Sequence, residues 1–149
     1  MRAETNDLLE GAVAAHGGLD RWNQVKSITV DASVTGALWA LKSKTDALRD
    51  VRFEVDTTRE RLTIDFTGQD KRSVFEPYRV VMQRRNGAAT DARDEPERSF
   101  DGHQLHTPWD DIHLAYFGGE ALWTYLNTPF LYPVITRSTT PERERQCAN

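Results

Sequence analysis

The chain has 149 residues, of which 38% are hydrophobic and 28% are charged, and its net charge is −4. This balance is typical of one ordinary globular domain with a modest core. The negative charge and the absence of a basic run argue against nucleic acid as a partner. No window holds the roughly 18 apolar residues of a membrane span, and residues 1–18 lack the apolar core of a signal peptide. We therefore expect a soluble, cytoplasmic protein without a transmembrane segment.

Two short helices are predicted at the N-terminus. Residues Thr5 to His16 carry apolar side chains at helical spacing, and Leu19 to Asn23 form a further turn that contains Trp22. Gly17, between them, is the expected left-handed end of the first helix.

From Lys26 to Arg93 the apolar residues recur mostly at every second position, which is typical of half-buried strands. The predicted strands, in chain order, are Ile28–Val34, Val51–Val55, Leu62–Phe66, Arg72–Glu76, Tyr78–Arg84 and Ala88–Arg93. The apolar run Ala37–Leu41 is either a strand that continues past a bulge or a loop packed inward. The short turns between the strands favour an antiparallel meander of five or six strands.

The strongest helix signal runs from Thr107 to Thr128. Thr107 is the expected N-cap and Pro108 the first helical residue, with Asp110 three residues after the cap. The pair Gly118–Gly119 interrupts the helix at a cost of about 1 kcal/mol per glycine relative to alanine. We expect the helix either to bend there or to be closely approached by another backbone, with any cavity lying beneath it.

Together these elements predict an α+β fold. A curved antiparallel sheet forms a partial, unclosed barrel, and the long helix packs on its concave face because the apolar side of a sheet must be covered. Residues 1–136 form one domain, which begins with the small helices and ends with a short strand at Val134–Thr136. The polar residues 137–149 are expected to be a solvated tail, and the single cysteine, Cys147, excludes an internal disulfide.

A family resemblance sharpens this fold. The segment AHGGLDRWNQVKSITVDASVTG, followed by antiparallel strands, resembles the opening of LolA/LolB-like proteins, the outer-membrane lipoprotein carrier superfamily. The segments AHGGLDRW, GALWALK and TPWDDIHLAYFGGEALWTYLNTPFL are similar to a group of bacterial proteins related to that fold. The resemblance covers roughly residues 8–131. It implies an unclosed β-barrel whose open side is covered by helices, with an apolar cavity that binds acyl chains and performs no chemistry.

The chain departs from this superfamily in two ways. Lipoprotein carriers act in the periplasm and carry a signal sequence, whereas none is visible in this chain. Members of the similar bacterial group are also longer, with further strands after the long helix, so the second half of the sheet is expected to be missing here. An open sheet edge and uncovered apolar surface would favour self-association.

The favoured function is therefore non-catalytic binding of a lipid or another apolar small molecule, with no cofactor and no catalytic residue. The residues expected to line the site are Trp39, Phe53, Ile64, Phe66, Trp109, Tyr116 and Trp123. Large aromatic residues with polar tips are common at the rims of such pockets. The alternative explanation for the same residues is that they fill the core between helix and sheet.

Two further functions compete with ligand binding. The cluster His103, His106, Asp110 and His113 has the residue types of a metal site or an acid–base pair. Helix capping is the stronger explanation for Asp110, and the spacing matches no metal signature, so no metal site is assigned. The remaining possibility is an interaction module that forms a homo-oligomer through an exposed sheet edge.

Overall fold

The computed structural model of the protein describes residues 2–132, with side chains from residue 7 onward. The described residues divide into two compact units, one made of residues 2–24 and 126–132 and the other of residues 25–125. The strand predicted at Val134–Thr136 and the tail predicted at 137–149 lie outside the described residues. Within residues 2–132, no helix is long and apolar enough to cross a membrane.

The first unit contains helices α1 (Arg2–Ala15) and α2 (Leu19–Trp22). Gly17 ends α1 with a φ of +97°, a left-handed conformation that glycine adopts without strain. The indole of Trp22 stacks on the ring of Phe130, with a centroid distance of 4.3 Å. The two predicted helices and their glycine stop are thus confirmed, with helix bounds shifted by one to three residues.

The second unit is built on one antiparallel sheet of six strands that follow one another in chain order. The strands are β1 (Ser27–Ala32), β2 (Val51–Asp56), β3 (Arg61–Phe66), β4 (Arg72–Glu76), β5 (Arg79–Gln83) and β6 (Ala89–Asp94). The sheet is not closed, because among residues 2–132 β1 and β6 each pair on one side only. The predicted meander and unclosed α+β architecture are confirmed.

Alternation along the strands gives the sheet a buried and an exposed face. On the buried face, Val51, Phe53 and Val55 of β2 lie opposite Phe66, Ile64 and Leu62 of β3, and none is more than 2% exposed. On the exposed face, a charge ladder crosses four strands at one register position. The ladder consists of Asp31, Arg52, Asp65 and Arg72.

A short helix, α3, covers residues Ala37–Leu41. The sequence predicted a strand or an inward loop here, and that prediction is wrong. Five consecutive apolar residues carry no readable period, while alanine and leucine are strong helix formers. Lys42 closes the last turn, because its N–H donates to the carbonyl of Leu38.

Two further helices follow β6, a 3-10 turn at Pro96–Phe100 and the long helix α4 at Asp111–Asn127. At the start of α4, Asp111 accepts hydrogen bonds from Lys44 Nζ at 2.7 Å and Lys71 Nζ at 3.2 Å. Twelve residues later, Trp123 Nε1 donates to the Asp56 carbonyl at 2.8 Å. The helix rises about 18 Å between these two residues, and five residues of a strand span about 17 Å. The helix α4 therefore runs along the strands from one end of the sheet to the other.

The glycine pair of α4 is where the helix approaches the sheet most closely. A Cβ built on Gly119 would lie 2.2 Å from Cγ of Phe75, a distance that real Cβ atoms do not show. A Cβ on Gly118 would lie 3.7 Å from Ile64 Cδ1, which is ordinary contact. A close approach is therefore found at Gly119, but the approaching group is the aromatic side chain of Phe75 in β4 and not the backbone that the sequence predicted.

Candidate functional site

The two sides of α4 carry different side chains, and each holds part of the predicted sites. Towards α3 lies an aromatic cluster, which we define as Trp39, Trp109 and Phe117. Towards β6 lies a histidine network, which we define as Arg93, Ser99, Asp110 and His113.

The three rings of the aromatic cluster contact one another. Trp39 lies 6.4 Å from Trp109 and 6.2 Å from Phe117, measured between ring centroids, and Trp109 lies 5.0 Å from Phe117. Lys42 closes the cluster on one side, with its Nζ 5.3 Å from the centroid of Trp109, within the range of a cation–π interaction. Trp109 is buried, Trp39 is half-buried and Phe117 is 38% exposed. The cluster therefore presents aromatic surface to solvent above a buried indole.

The structure brings only part of the predicted ligand set together. Trp39 and Trp109 contact each other in the cluster. Tyr116 lies on the other side of α4, and its ring centroid is 5.7 Å from that of Phe75. Trp123 lies at the far end of the helix, where its Nε1 also donates to the carbonyl of Arg59. The three predicted sheet residues, Phe53, Ile64 and Phe66, fill the core beneath α4 with 2% exposure or less.

Phe117 is a member of the cluster that the predicted ligand set omitted. The spacing of aromatic residues within α4 gives no reason to prefer Phe117 over Tyr116. Its role depends on α3, because that helix carries Trp39 against α4, and α3 was not predicted as a helix.

The buried face of the sheet is only partly covered at β1. Ile28, Val30 and Ala32 point to the same face as the buried row of β2, to which they are paired, yet all three remain half-exposed. Edge strands usually carry charge or are covered by another element. The β1 side of the sheet thus exposes an apolar strip.

The histidine network starts α4. Asp110 Oδ1 accepts a hydrogen bond from the backbone N–H of His113 at 2.8 Å, and His113 Nδ1 lies 3.2 Å from the backbone N–H of Asp110, which donates to it. This is a reciprocal capping box with histidine in the place that glutamate or glutamine usually takes. The predicted start at Thr107 is wrong because the Thr107 hydroxyl oxygen accepts from the N–H of Gln104 at 2.9 Å and closes a separate loop.

Both ring nitrogens of His113 are engaged in this arrangement. Nδ1 lies 3.2 Å from the Asp110 backbone nitrogen and 2.8 Å from Asp110 Oδ1, and Nε2 lies 3.2 Å from the carbonyl oxygen of Ser99. Burial raises the pKa of Asp110, but hydrogen bonds from Arg93 and from the His113 N–H outweigh it and hold that pKa below its ordinary value. Arg93 Nη2 lies 2.5 Å from Asp110 Oδ2, so the network ties the start of α4 to β6.

The other members of the predicted histidine cluster lie apart from these bonds. The ring of His103 packs 4.8 Å from that of His113, and its buried Nδ1 has no hydrogen-bond partner in the described part of the chain. His106 is exposed. Among residues 2–132 no group of three or more His, Cys, Asp or Glu side chains is placed to hold a metal ion. The hydrogen bonds of His113 and Asp110 connect the start of α4 to β6 and to the 3-10 turn.

A group of acids at the other end of α4 was not anticipated from the sequence. Burial raises the pKa of Glu60, and the nearby charge of Glu120 raises it further. Burial and the same Glu120 raise the pKa of Tyr116 to about 12. Glu60 and Glu120 are separated by most of the sheet in sequence, so only the folded position of α4 brings them together.

The exposed face of the sheet, opposite α4, carries a half-open groove of about 480 Å³. The residues that line it are all of charged or polar type: Asp31, Asp50, Arg52, Asp65, Thr67, Arg72 and Arg85. Two arginines are already held by forked ion pairs, Arg52 to Asp31 and Arg72 to Asp65, each with one bond of 2.7 Å. The groove is therefore charge-balanced and unlike the apolar cavity that the sequence predicted beneath α4.

Comparisons of the chain with protein-family models, with curated proteins and with solved structures give no match. The likeness to LolA/LolB-like carriers consequently stays a prediction from sequence. Any function must be argued from the geometry of the aromatic cluster, the β1 strip and the histidine network.

Proposed function

We propose that the protein binds a lipid or another apolar ligand without catalysing a reaction, in the manner of the LolA-like carriers it resembles. The observation that carries this proposal is the aromatic cluster. It holds two of the four tryptophans of the chain and leaves Phe117 38% exposed. Exposed aromatic surface gathered in one place is typical of ligand and partner sites.

The energetics favour an apolar occupant. Removing apolar surface from water contributes about 25 cal/mol per Å², so an acyl chain laid over the cluster would gain most of its affinity from burial alone. The neighbouring ammonium of Lys42 keeps its charge, but the residue is only 7% exposed and Nζ donates to the carbonyl of Gln104 at 2.8 Å, so an acidic headgroup in solvent has little access to it. Affinity is therefore expected to depend on chain length more than on the headgroup.

The predicted sheet residues take a different part in this proposal. Phe53, Ile64 and Phe66 are fully packed and form the rigid floor on which α4 and the cluster stand. Trp39 and Trp109 become the ligand contacts, and Phe117 joins them. Tyr116 and Trp123 are assigned to packing and to holding the β2–β3 turn.

The test is a titration of intrinsic tryptophan fluorescence with a long-chain fatty acid such as oleate. Phe117→Ser is expected to weaken binding by roughly tenfold or more, equivalent to about 1.4 kcal/mol, because it removes the exposed ring of the cluster. Tyr125→Ser is the matched control, since Tyr125 is an aromatic residue of the same helix that is 73% exposed and outside the cluster. Its affinity should equal that of the unmodified protein.

Two results would count against the proposal. One is a fluorescence spectrum that does not change up to the solubility limit of the fatty acid. The other is equal loss of affinity in both variants, which would place binding on exposed aromatic surface in general. Fatty acids of decreasing length provide a further check, because affinity should fall with each methylene removed.

A further inference from the structure

We infer that two copies of this protein associate through β1, whose strand pairs antiparallel with β1 of the second copy about a twofold axis at Thr29. This inference goes beyond the proposed ligand binding, because it rests on the backbone groups of β1 and does not use the aromatic cluster. The strand that pairs with the open edge belongs to a second copy of the chain.

The peptide groups of β1 point alternately towards β2 and towards the open edge. The carbonyl of Lys26 accepts from the N–H of Thr57 at 3.2 Å, and the N–H of Val34 donates to the carbonyl of Leu48 at 2.8 Å. Both even-numbered residues therefore bond towards the β2 side. Peptide groups alternate in direction along an antiparallel strand, so the N–H and C=O groups of Ser27, Thr29 and Asp31 point to the open edge.

The opposite edge of the sheet, β6, is protected against pairing with another strand. Asp91 and Arg93 of β6 lie opposite the buried Met82 and Val80, so charges stand on the apolar face of that edge. Asp91 Oδ1 also accepts the N–H of Ala92 at 2.8 Å, which occupies a donor that another strand would need. Inward charges are a recognised means of preventing edge-to-edge pairing.

Within the described part of the chain, β1 has no such protection. Its row on the apolar face is Ile28, Val30 and Ala32, and the strand contains no proline, glycine or lysine. Asp31 is its only charged residue. That carboxylate is already neutralised by Arg52, whose Nε lies 2.7 Å from Oδ1, so it brings no unpaired charge to a joint.

The pattern of edge-facing residues also sets the register between the two β1 strands. Centring the axis on Thr29 places Thr29 opposite its own copy and Ser27 opposite Asp31 of the second copy, so all three edge-facing residues form hydrogen-bonded pairs. On the apolar face, Ile28 then meets Val30 of the second copy. A shift of two residues leaves one edge-facing residue without a partner inside the strand. The centred register also avoids placing Asp31 opposite its own copy.

The assembly closes at two copies. An isologous contact uses the same edge of both molecules, so each β1 is consumed and the two β6 edges become the ends of the joined sheet. Those ends are the ones protected by Asp91 and Arg93. Both α4 helices lie on the same face of the joined sheet, and the half-exposed strips of the two copies adjoin.

The direct test is molar mass by light scattering and sedimentation over a wide concentration range. Thr29→Pro removes only the edge-facing N–H and is expected to convert the dimer to a monomer, because proline is tolerated at sheet edges. Ala92→Pro is the matched control on β6 and should leave the molar mass unchanged. Thr29→Lys is a second variant on the exposed face, and it places two like charges opposite each other at the axis.

A cross-link tests the register. In a hydrogen-bonded antiparallel pair the Cα atoms are about 5.5 Å apart, within the range a disulfide spans. Thr29→Cys in a Cys147→Ser background should therefore give a covalent dimer on mild oxidation, while Ala92→Cys should not.

A molar mass of one copy at every concentration would overturn the inference. So would a dimer that persists in both Thr29→Pro and Thr29→Lys, because another surface would then hold it. Circular dichroism of each variant identifies loss of folding, and if Thr29→Pro unfolds, Thr29→Lys and the cross-link decide. Oleate titration of the Thr29→Lys monomer separates the two proposals: a monomer that still binds leaves ligand binding intact, whatever the unmodified protein's molar mass.

Discussion

On the β6 side of α4, polar groups are paired and the helix is tied to the sheet. Arg93, Asp110, His113 and the Ser99 carbonyl hold one another, and the edge strand carries charges on its apolar face. The other side holds α3 and the β1 edge, and we call it the β1 side. There the rings of the aromatic cluster pack on one another, the apolar row of β1 is half-exposed, and no strand of the described residues pairs with the outward peptide groups of β1. The first side is complete by itself, whereas the second presents the surfaces on which a ligand or a second copy would gain most. Ligand binding and association are therefore both expected on the β1 side.

The largest expected change in the free energy of unfolding concerns Gly119, where α4 contacts the Phe75 ring of the sheet. Gly119→Ala should destabilise the protein by about 1–3 kcal/mol, because its Cβ would overlap the Phe75 ring and overpacking outweighs the gain in helix propensity. Gly118→Ala is the matched control and should instead stabilise by up to about 1 kcal/mol. Urea unfolding followed by circular dichroism measures both, and equal effects in the two variants would show that the ring does not set the helix position.

The next effect breaks the tie on the β6 side. Asp110→Ala should cost about 1–2 kcal/mol at neutral pH, since it removes an N-cap and the partner of Arg93. The pKa of Asp110 is held below its ordinary value of 3.8, so this contribution is present above about pH 4 and is lost as the pH falls through the lowered pKa. The difference between variant and unmodified protein should therefore shrink in acid.

Asp101→Ala, in the exposed loop that precedes α4, is the control for this variant and should change the free energy of unfolding by less than about 0.5 kcal/mol. Oleate affinity should survive Asp110→Ala as long as the protein is folded. A specific loss of binding in this variant would contradict the assignment of the ligand to the β1 side.

The smallest effect is at Glu60, under the far end of α4. Burial and Glu120 raise its pKa above the ordinary value of 4.5, so the charged form is disfavoured in the folded protein. Glu60→Gln should therefore stabilise the protein at neutral pH, by less than about 1 kcal/mol because the site is partly exposed. The advantage should vanish below about pH 4.5, where both states of the unmodified protein are protonated, and unfolding measured at pH 4 and pH 7 checks this sign.

Much of the fold could be predicted because the strands alternate cleanly and the turns between them are short. Errors arose where two local solutions competed. Thr107 and Asp110 are both good caps in sequence, and the choice depended on Gln104, whose N–H occupies the Thr107 hydroxyl oxygen. At Ala37–Leu41 every residue is apolar, so period carries no information and propensity decided.

The site was harder to predict than the fold because a lining residue and a core residue have the same chemistry. Phe53 and Ile64 are apolar in either role, and only the spacing between helix and sheet, set where Phe75 enters at Gly119, makes them core. Exposure of Phe117 and Trp39 is likewise a property of the assembled layers. Sequence pattern identified the apolar face but could not divide it into packed and accessible parts.

The charge ladder on the exposed face has a consequence for how the strands find their alignment. A slip of two residues between β2 and β3 would keep every apolar side chain on the buried face, so hydrophobic pattern alone cannot reject it. The slip would, however, move Arg52 away from Asp65 and set it opposite a threonine, Thr63 or Thr67. The alternating charges along this row therefore favour the native strand register over registers shifted by two residues, which would bury the same apolar side chains.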